Sequence, residues 1–350
     1  MSTGAPVEFQ VTGPVAPLPR SNSWHSRRVP AFVAIVLWII VATLAIVVGM
    51  RLFAWDDLEL FAVLNTVTAF IYLPAWLVVV VAGVGRRPYL AGAALLIVIA
   101  QVAFLYPELA AAGPVPTWTA SAPTLRILDA NVYQGNPSMA GYASEIEATD
   151  PALVTMEEAN PTDVAQLEKS GALAGLPYRL EIKRYDPKAL LVASKYPLSG
   201  DNVVFVGHLP LIMQTTVHLP SGPQDLWVVH ATAPLPSSFA LWKSQLAEVD
   251  SLLRKRGPSH LLVVGDFNAT WGNKGFRAIL DDGVVDGAAA RGSAFAMTWS
   301  QTKRPLPPLV RIDHVLTGPG VAVTQIRTDD GPGSDHRDLM ATVAFRGAAP

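Results

Sequence analysis

The sequence predicts a layered α/β domain carried behind membrane-spanning helices, and three observations support that prediction. Of the 350 residues, 51% are hydrophobic and only 15% charged, more apolar surface than a water-facing fold needs. The excess lies before about residue 110, where Val, Leu, Ile, Ala and aromatic residues form long runs. After it, short apolar runs alternate with polar, Gly- and Pro-rich connections, the pattern of strands and helices around a core.

Residues 1–30 hold Pro6, Pro14, Pro17, Pro19 and Pro30 among small polar residues and close on Arg20, Arg27 and Arg28, a composition expected of a disordered cytoplasmic tail. From Ala31 to Met50 twenty residues carry no charge, and at ~1.5 Å each they reach across a hydrocarbon layer of ~30 Å. This run exceeds a signal-peptide core and further apolar runs follow it, so it is expected to remain as an anchor. A second span is expected at residues 60–84, interrupted by Pro74, and a third at 89–106, making a membrane domain of residues 31–107. Cationic segments tend to stay in the cytoplasm, so the tail and the Arg86–Arg87 connection are expected inside. Three crossings then place the C-terminal domain outside the membrane; a Pro74 segment that turned back would return it to the cytoplasm.

Residues 108–121, rich in Pro, Ala, Ser and Thr, read as a linker, and a globular α/β domain is expected over 122–346. Within it LRILDANV, PALVTM, KALLVAS, LIMQTTVHL, DLWVVH and HLLVVGDF read as strands, and Ser138–Thr149 and Ser237–Arg256 as helices. From Ala120 onward there are 20 Lys plus Arg against 23 Asp plus Glu, so this part lacks the basic field that sequence-independent nucleic-acid binding exploits. Arg254-Lys255-Arg256 is one compact basic run, and at a helix end it reads as a solvated cap. The absence of cysteine excludes disulfides, thiolate catalysis and thiolate-bound metals.

Polar residues gather at the ends of the apolar runs. Gly265-Asp266-Phe267-Asn268 follows a strand directly, so a carboxylate and a carboxamide emerge from a rigid element. Gly333-Ser334-Asp335-His336 lies in a Gly/Pro-rich loop and offers an oxygen ligand beside an imidazole. Asp313, read as leaving the strand before it, can fix the His336 tautomer and favour its protonated form. Asn131 ends LRILDAN, and His230 ends DLWVVH. Glu157 and Glu158 end PALVTMEE; neighbours on a strand point opposite ways, so one faces the site and the other does not. Singly, each has an ordinary structural explanation, but together they imply one polar cleft at one edge of a sandwich.

The order and spacing of ILDANV, DPALVTMEE, VVH, GDFN, IDHVL and GSDH resemble the endonuclease/exonuclease/phosphatase superfamily over the whole region after the linker. The resemblance implies a four-layered α/β sandwich, two packed sheets flanked by helices, which follows the three transmembrane helices read from the apolar runs. It implies Glu158, Asn131 and Asp335 at an Mg²⁺ or Mn²⁺ ion, with Glu157 in place of the family's usual glutamine. It implies that Asp266 and Asn268 orient water and a phosphate oxygen, that His230 contacts the scissile phosphate, and that His336, oriented by Asp313, handles protons or transition-state charge. Several nuclease members carry an acid where Tyr133 stands here, so an abasic-site specificity is not implied; Asp129 is taken as structural.

The expected activity is hydrolysis of a phosphodiester or phosphomonoester by activated water. The substrate is expected to be a nucleic acid, a phospholipid or a small phosphoester, with the bilayer as a further partner and no obligate protein partner. A phospholipid head-group phosphodiesterase is one alternative, and a catalytically silent binding module on the same fold is another.

Overall fold

The computed structural model describes Gly13, residues 30–301 and residues 307–346. Nearly all of the proline-rich tail expected over residues 1–30 lies outside the described residues. The chain begins with five helices, α1 (Ala31–Phe53), α2 (Glu59–Thr66), α3 (Thr68–Ile71), α4 (Leu73–Val84) and α5 (Pro88–Ala110). One stripe of α1, Ala34, Leu37, Val41, Leu44 and Val47, packs on Ala75 and Val78 of α4 and on Ala94 and Ile97 of α5. The other faces are apolar too, with Phe32, Ile35, Ile39 and Ile46 exposed, and a helix apolar all round needs lipid or protein on every side.

α1 and α5 are each long and apolar enough to cross a membrane, and a third span exists if the bent pair α2 with α3–α4 counts as one. That pair is bent by 81°. The interruption expected at Pro74 falls earlier, at Val67 and Tyr72, because Pro74 sits in the first turn of α4, where its missing N–H costs nothing. Gln101 of α5 repairs the break: its Nε2 donates to Ala69 O at 2.9 Å, and its Oε1 accepts from Trp76 Nε1 at 2.8 Å.

The rest of the chain runs β1 (Thr124–Asn131), α6 (Ala140–Thr149), β2 (Leu153–Glu157), α7 (Pro161–Ser170), β3 (Tyr178–Ile182), β4 (Leu190–Ser194), β5 (Leu198–Val206), β6 (Leu209–Leu219) and β7 (Gly222–His230). It continues with α8 (Phe239–Arg256), β8 (Leu261–Asp266), α9 (Lys274–Asp281), β9 (Val285–Asp286), α10 (Gly287–Ala290), β10 (Asp313–Thr317), β11 (Val321–Asp330) and β12 (Arg337–Phe345). Two mixed six-stranded sheets form, in the orders β11-β12-β1-β2-β4-β3 and β5-β6-β7-β8-β10-β9. Each contains one parallel pair, β1 with β2 and β7 with β8. A helix covers each crossover, α6 for the first and α8 for the second.

The central strands read as nearly continuous apolar runs because both of their faces are covered. Ile127, Leu153, Val192, Val228, Val264 and Val343 fill the layer between the sheets. Leu128, Val154 and Met156 turn outward to Tyr142 and Ile146 of α6 and Val164 of α7. Trp227, Val229 and Val263 turn outward to Trp242 and Leu246 of α8 and Phe276 of α9. Helix, sheet, sheet and helix are therefore the four layers expected. Each fully buried Leu, Ile or Val in them stabilises by roughly 1.5–3 kcal/mol.

Local signals set the helix ends. Asn160 caps α7 by accepting from Thr162 N and Asp163 N, while Asp163 accepts from Asn160 N, and Gly171 closes the helix at φ 86°. The basic run ends α8 as a cap: Arg256 donates to Gly257 O and Ser259 O and pairs with Asp225.

Candidate active site

Strand polarity places the polar residues. β1 and β2 run parallel with Asn131 opposite Glu157, and β7 and β8 run parallel with His230 opposite Asp266, so all four strands present their C-terminal ends at one edge. Asp313 does not leave a strand as expected; it begins β10, which is antiparallel to β8 and pairs Asp313 with Asp266. Its first residue therefore shares that edge. His336 precedes β12, which is antiparallel to β1, and reaches the edge in the same way.

The two neighbouring glutamates separate. Glu157 ends β2, is wholly buried, and faces the other sheet, where a Cβ on Gly265 would meet its Oε1. Glu158 has left the strand at φ 61° and enters the cleft. Glu158 is thus the cleft acid, and Glu157 lies beneath it without a hydrogen-bond partner for either oxygen among the described residues. Asp129, also buried, accepts from Thr155 Oγ1 at 2.5 Å on the same inner face. Burial and the neighbouring acids Asp129, Asp313 and Asp266 push Glu157 well above the usual carboxylate range. Burial raises Asp129 likewise, with Asp313 and Asp266 adding to it.

All eight expected residues meet. Asp266 is 1% exposed, and its Oδ2 accepts from Asn131 Nδ2 at 3.1 Å and from Asn268 Nδ2 at 3.1 Å. The same oxygen lies 3.9 Å from His230 Nε2 and 4.0 Å from His336 Nε2. Asn268 bends back at φ 47°, which lets its own N–H donate to Asp266 Oδ1 at 2.7 Å. Glu158 Oε2 accepts from Gln134 N at 2.8 Å; its Oε1 lies 3.3 Å from Asn131 Nδ2 and 3.8 Å from His230 Nε2. Asp335 accepts from Trp299 Nε1 at 3.0 Å and sets its other oxygen 4.0 Å from His336 Nε2. Six of the eight line an open cleft of about 880 Å³, with Asn131 and Asp313 behind them.

Charge is distributed unevenly across this cluster. His336 Nδ1 donates to Asp313 Oδ2 at 3.0 Å; burial works against the imidazolium, but Asp313, with Asp266 and Asp335, outweighs it and lifts His336 to about 10. Burial and the Asp313 carboxylate push Asp266 up to about 7. His230 is held well below its usual range by burial, with Lys188 and His336 adding to the effect, so its ring is neutral. One histidine is a cation and the other is not.

The donor chemistry fits a hard divalent cation. Glu158 and Asp335 present carboxylate oxygens to the cleft, which suits an ion that needs few protein ligands and keeps several waters. Asn131 donates to Glu158 and Asp266 while its Oδ1 accepts from Tyr133 N at 3.1 Å, so in this arrangement it ties the two acids together. Asp266, Asp313 and His336 also offer ligand atoms within 4.8 Å of one another, with Asp313 engaged by His336 Nδ1.

Lys188 is a site residue that motif reading missed. It is buried, its Nζ donates to His230 O at 2.9 Å, and burial lowers it to about 8 against the opposing pull of Asp266 and Glu158. A usable signal exists in the sequence: Lys188 directly precedes the ALLVAS run, and β4 is antiparallel to β2, so its start lies at the site edge. Trp299, which holds Asp335, comes from an irregular segment with no comparable signal.

The Endonuclease/Exonuclease/phosphatase family model matches residues 130–336. Among solved structures, truncated TDP2 of Caenorhabditis elegans is similar with a TM-score of 0.52 at 16% identity, covering 63% of this chain and 97% of that one. TDP2 of D. rerio in complex with a single-strand DNA product gives 0.51 at 20% identity, covering 63% and 99%. An endonuclease/exonuclease/phosphatase of Beutenbergia cavernae gives 0.50 at 19% identity, covering 64% and 72%. At such identities the likeness is one of fold. No curated protein matches the sequence.

Proposed function

The chain belongs to the endonuclease/exonuclease/phosphatase family, whose enzymes hydrolyse phosphoester bonds and generally use divalent metals, and from that premise we propose how its own residues do so. It is a phosphoesterase dependent on Mg²⁺ or Mn²⁺ in which water attacks phosphorus directly. The observation that carries this reading is the convergence of Asn131, Asn268, His230 and His336 on one oxygen of Asp266, with Glu158 and Asp335 beside it.

Glu158 and Asp335 would hold the ion, which would supply neutralisation of the charge that develops on the phosphoryl oxygens. Asp266, steered by the two carboxamides, orients the attacking water and takes its proton. The oxygen–phosphorus bond forms as the bond to the leaving oxygen breaks. Protonated His336, fixed at Nδ1 by Asp313, turns Nε2 toward the phosphate and stabilises the transition state. Neutral His230 donates to a phosphate oxygen, and Lys188 adds positive charge at the same wall. Water is the nucleophile in this mechanism and no thiol is available to replace it, so the proposed reaction passes through no covalent enzyme intermediate.

The N-terminal helices anchor the enzyme, with the Arg-rich segments inside and the catalytic domain outside the membrane. A phospholipid head group is the second reading of the substrate. It is supported by the tether to apolar helices together with the slight acid excess of the domain, which disfavours tight binding to a polyanionic strand.

The test is hydrolysis of bis(p-nitrophenyl) phosphate by the full chain in detergent with Mg²⁺, Mn²⁺ or chelator. Turnover restored by metal is expected. Turnover indifferent to chelator, or a phosphorylated side chain trapped during reaction, would overturn the mechanism.

A further inference from the structure

The chain between α1 and α3 is bonded to the loop that directly follows Asp266 and Asn268. Arg51, in the last turn of α1 and buried, donates to Gly272 O, and Trp55 Nε1 donates to the same oxygen at 2.8 Å. Asp56 accepts from Lys274 N at 2.6 Å through one oxygen and from Asn65 Nδ2 at 2.8 Å through the other. Asn273, wholly buried, donates to Ala62 O at 3.0 Å and accepts from Thr66 Oγ1 at 3.2 Å. Contact is close enough that a Cβ on Gly272 would overlap Asn65 O.

A second attachment sits on the other side of the site. Glu108, near the end of α5, pairs with Arg311 at 2.5 Å, and Arg311 also reaches Asp286 at 2.6 Å. Arg311 is 3% exposed and stands two residues before Asp313, the partner of His336. A buried guanidinium stripped of one of two carboxylates moves to find a replacement, because an unpaired buried charge is costly. The segment that follows Asp266 and the segment that leads into Asp313 are thus both held by residues of the N-terminal helical region.

We propose that the N-terminal helices are part of the scaffold of the active centre, with Asp56 and Glu108 as positioning residues. Asp56 sets the loop behind Asp266 and Asn268, and Glu108, through Arg311, sets the Asp313–His336 pair. This rests on the phosphoesterase reading of those four residues. Small displacements matter there: a misplacement of about 1 Å caused from a distance costs up to about 10²-fold in rate.

The experiment uses the full chain in detergent, hydrolysing bis(p-nitrophenyl) phosphate with Mn²⁺, well below the melting temperature of each variant. Asp56→Ala and Glu108→Gln are expected to lower kcat about tenfold or more with KM within about twofold, and Asp56→Asn, which keeps an acceptor, to recover part of the loss. A merely structural role would lower the folded fraction without this split. If either variant fails to fold, Trp55→Phe removes the bond to Gly272 O and Thr66→Val the hydroxyl shared between Asn273 Oδ1 and Ala62 O, and each is expected to lower kcat about threefold. Wild-type kcat in folded variants, while His336→Ala is inactive in the same assay, would overturn the proposal. Wild-type turnover by His336→Ala would instead overturn the phosphoesterase reading, and this proposal with it.

Discussion

The two sheets supply the site with the same device and different chemistry. Each has a parallel pair with a crossover helix, and each brings an antiparallel strand start to the same edge, β4 with Lys188 in the first sheet and β10 with Asp313 in the second. On the first sheet the cleft acid, Glu158, stands clear of the strand and is partly exposed. On the second, Asp266 and Asp313 are buried and tied to amides and an imidazole. In the proposed mechanism the exposed acid exchanges water for a cation and the buried acids hold and move a proton, so one backbone turn at Glu158 separates carboxylates of the same chemistry by their access to water.

The largest effect falls on the proton-handling half. Asp266→Ala and His336→Ala are each expected to lower kcat by about 10²–10⁴-fold with little change in the metal concentration needed, read from metal titrations of steady-state rate. The metal-holding half should respond in the other coordinate: Glu158→Gln is expected to raise the half-saturating Mn²⁺ concentration by about tenfold or more. Equal metal dependence of Asp266→Ala and Glu158→Gln would erase the division of roles.

The pH–rate profile sharpens it. On the proposed mechanism the rate is expected to rise as Asp266 loses its proton around 7 and to fall as His336 loses its own around 10. Asp313 raises both groups, one by repulsion and the other by attraction, so Asp313→Asn is expected to move both limbs to lower pH, by roughly 1–3 units. Limbs that move in opposite directions would refute the shared origin.

The smallest effect concerns stability. Glu157 is raised in the folded state, so its contribution is fully present below the unfolded value and is lost as pH rises through the raised one. Glu157→Gln removes that dependence. Its melting temperature is expected to exceed that of the native chain at pH 8 by about 3 °C, with a smaller gain at pH 5.

Much of this was legible in the sequence because strand ends carry their own punctuation. GDFN, VVH and GSDH marked the edge, and the uncharged run from Ala31 marked the first helix. Strand direction was less accessible: Asp313 begins its strand, and only the antiparallel pairing of β10 with β8 shows that a start and an end share one edge. Lys188 was hidden for the same reason. The 81° bend lies at Val67 and not at the expected Pro74: a proline in the first turn of a helix and one that breaks a helix look alike in a sequence. Nothing local announced that α2 would bond to the loop at Gly272, since that contact joins positions more than two hundred residues apart.

The central claim is that both sheets build one catalytic centre, and a double-variant cycle across them tests it most directly. Metal-dependent kcat would be measured at saturating Mn²⁺ for the native chain, His336→Ala on the β12 side of the first sheet, Asp266→Ala on β8 of the second, and the double variant. The account predicts that the double variant loses no more than the worse single one, because groups that act as a unit fail together. Losses that multiply would contradict it, showing two sites that contribute independently.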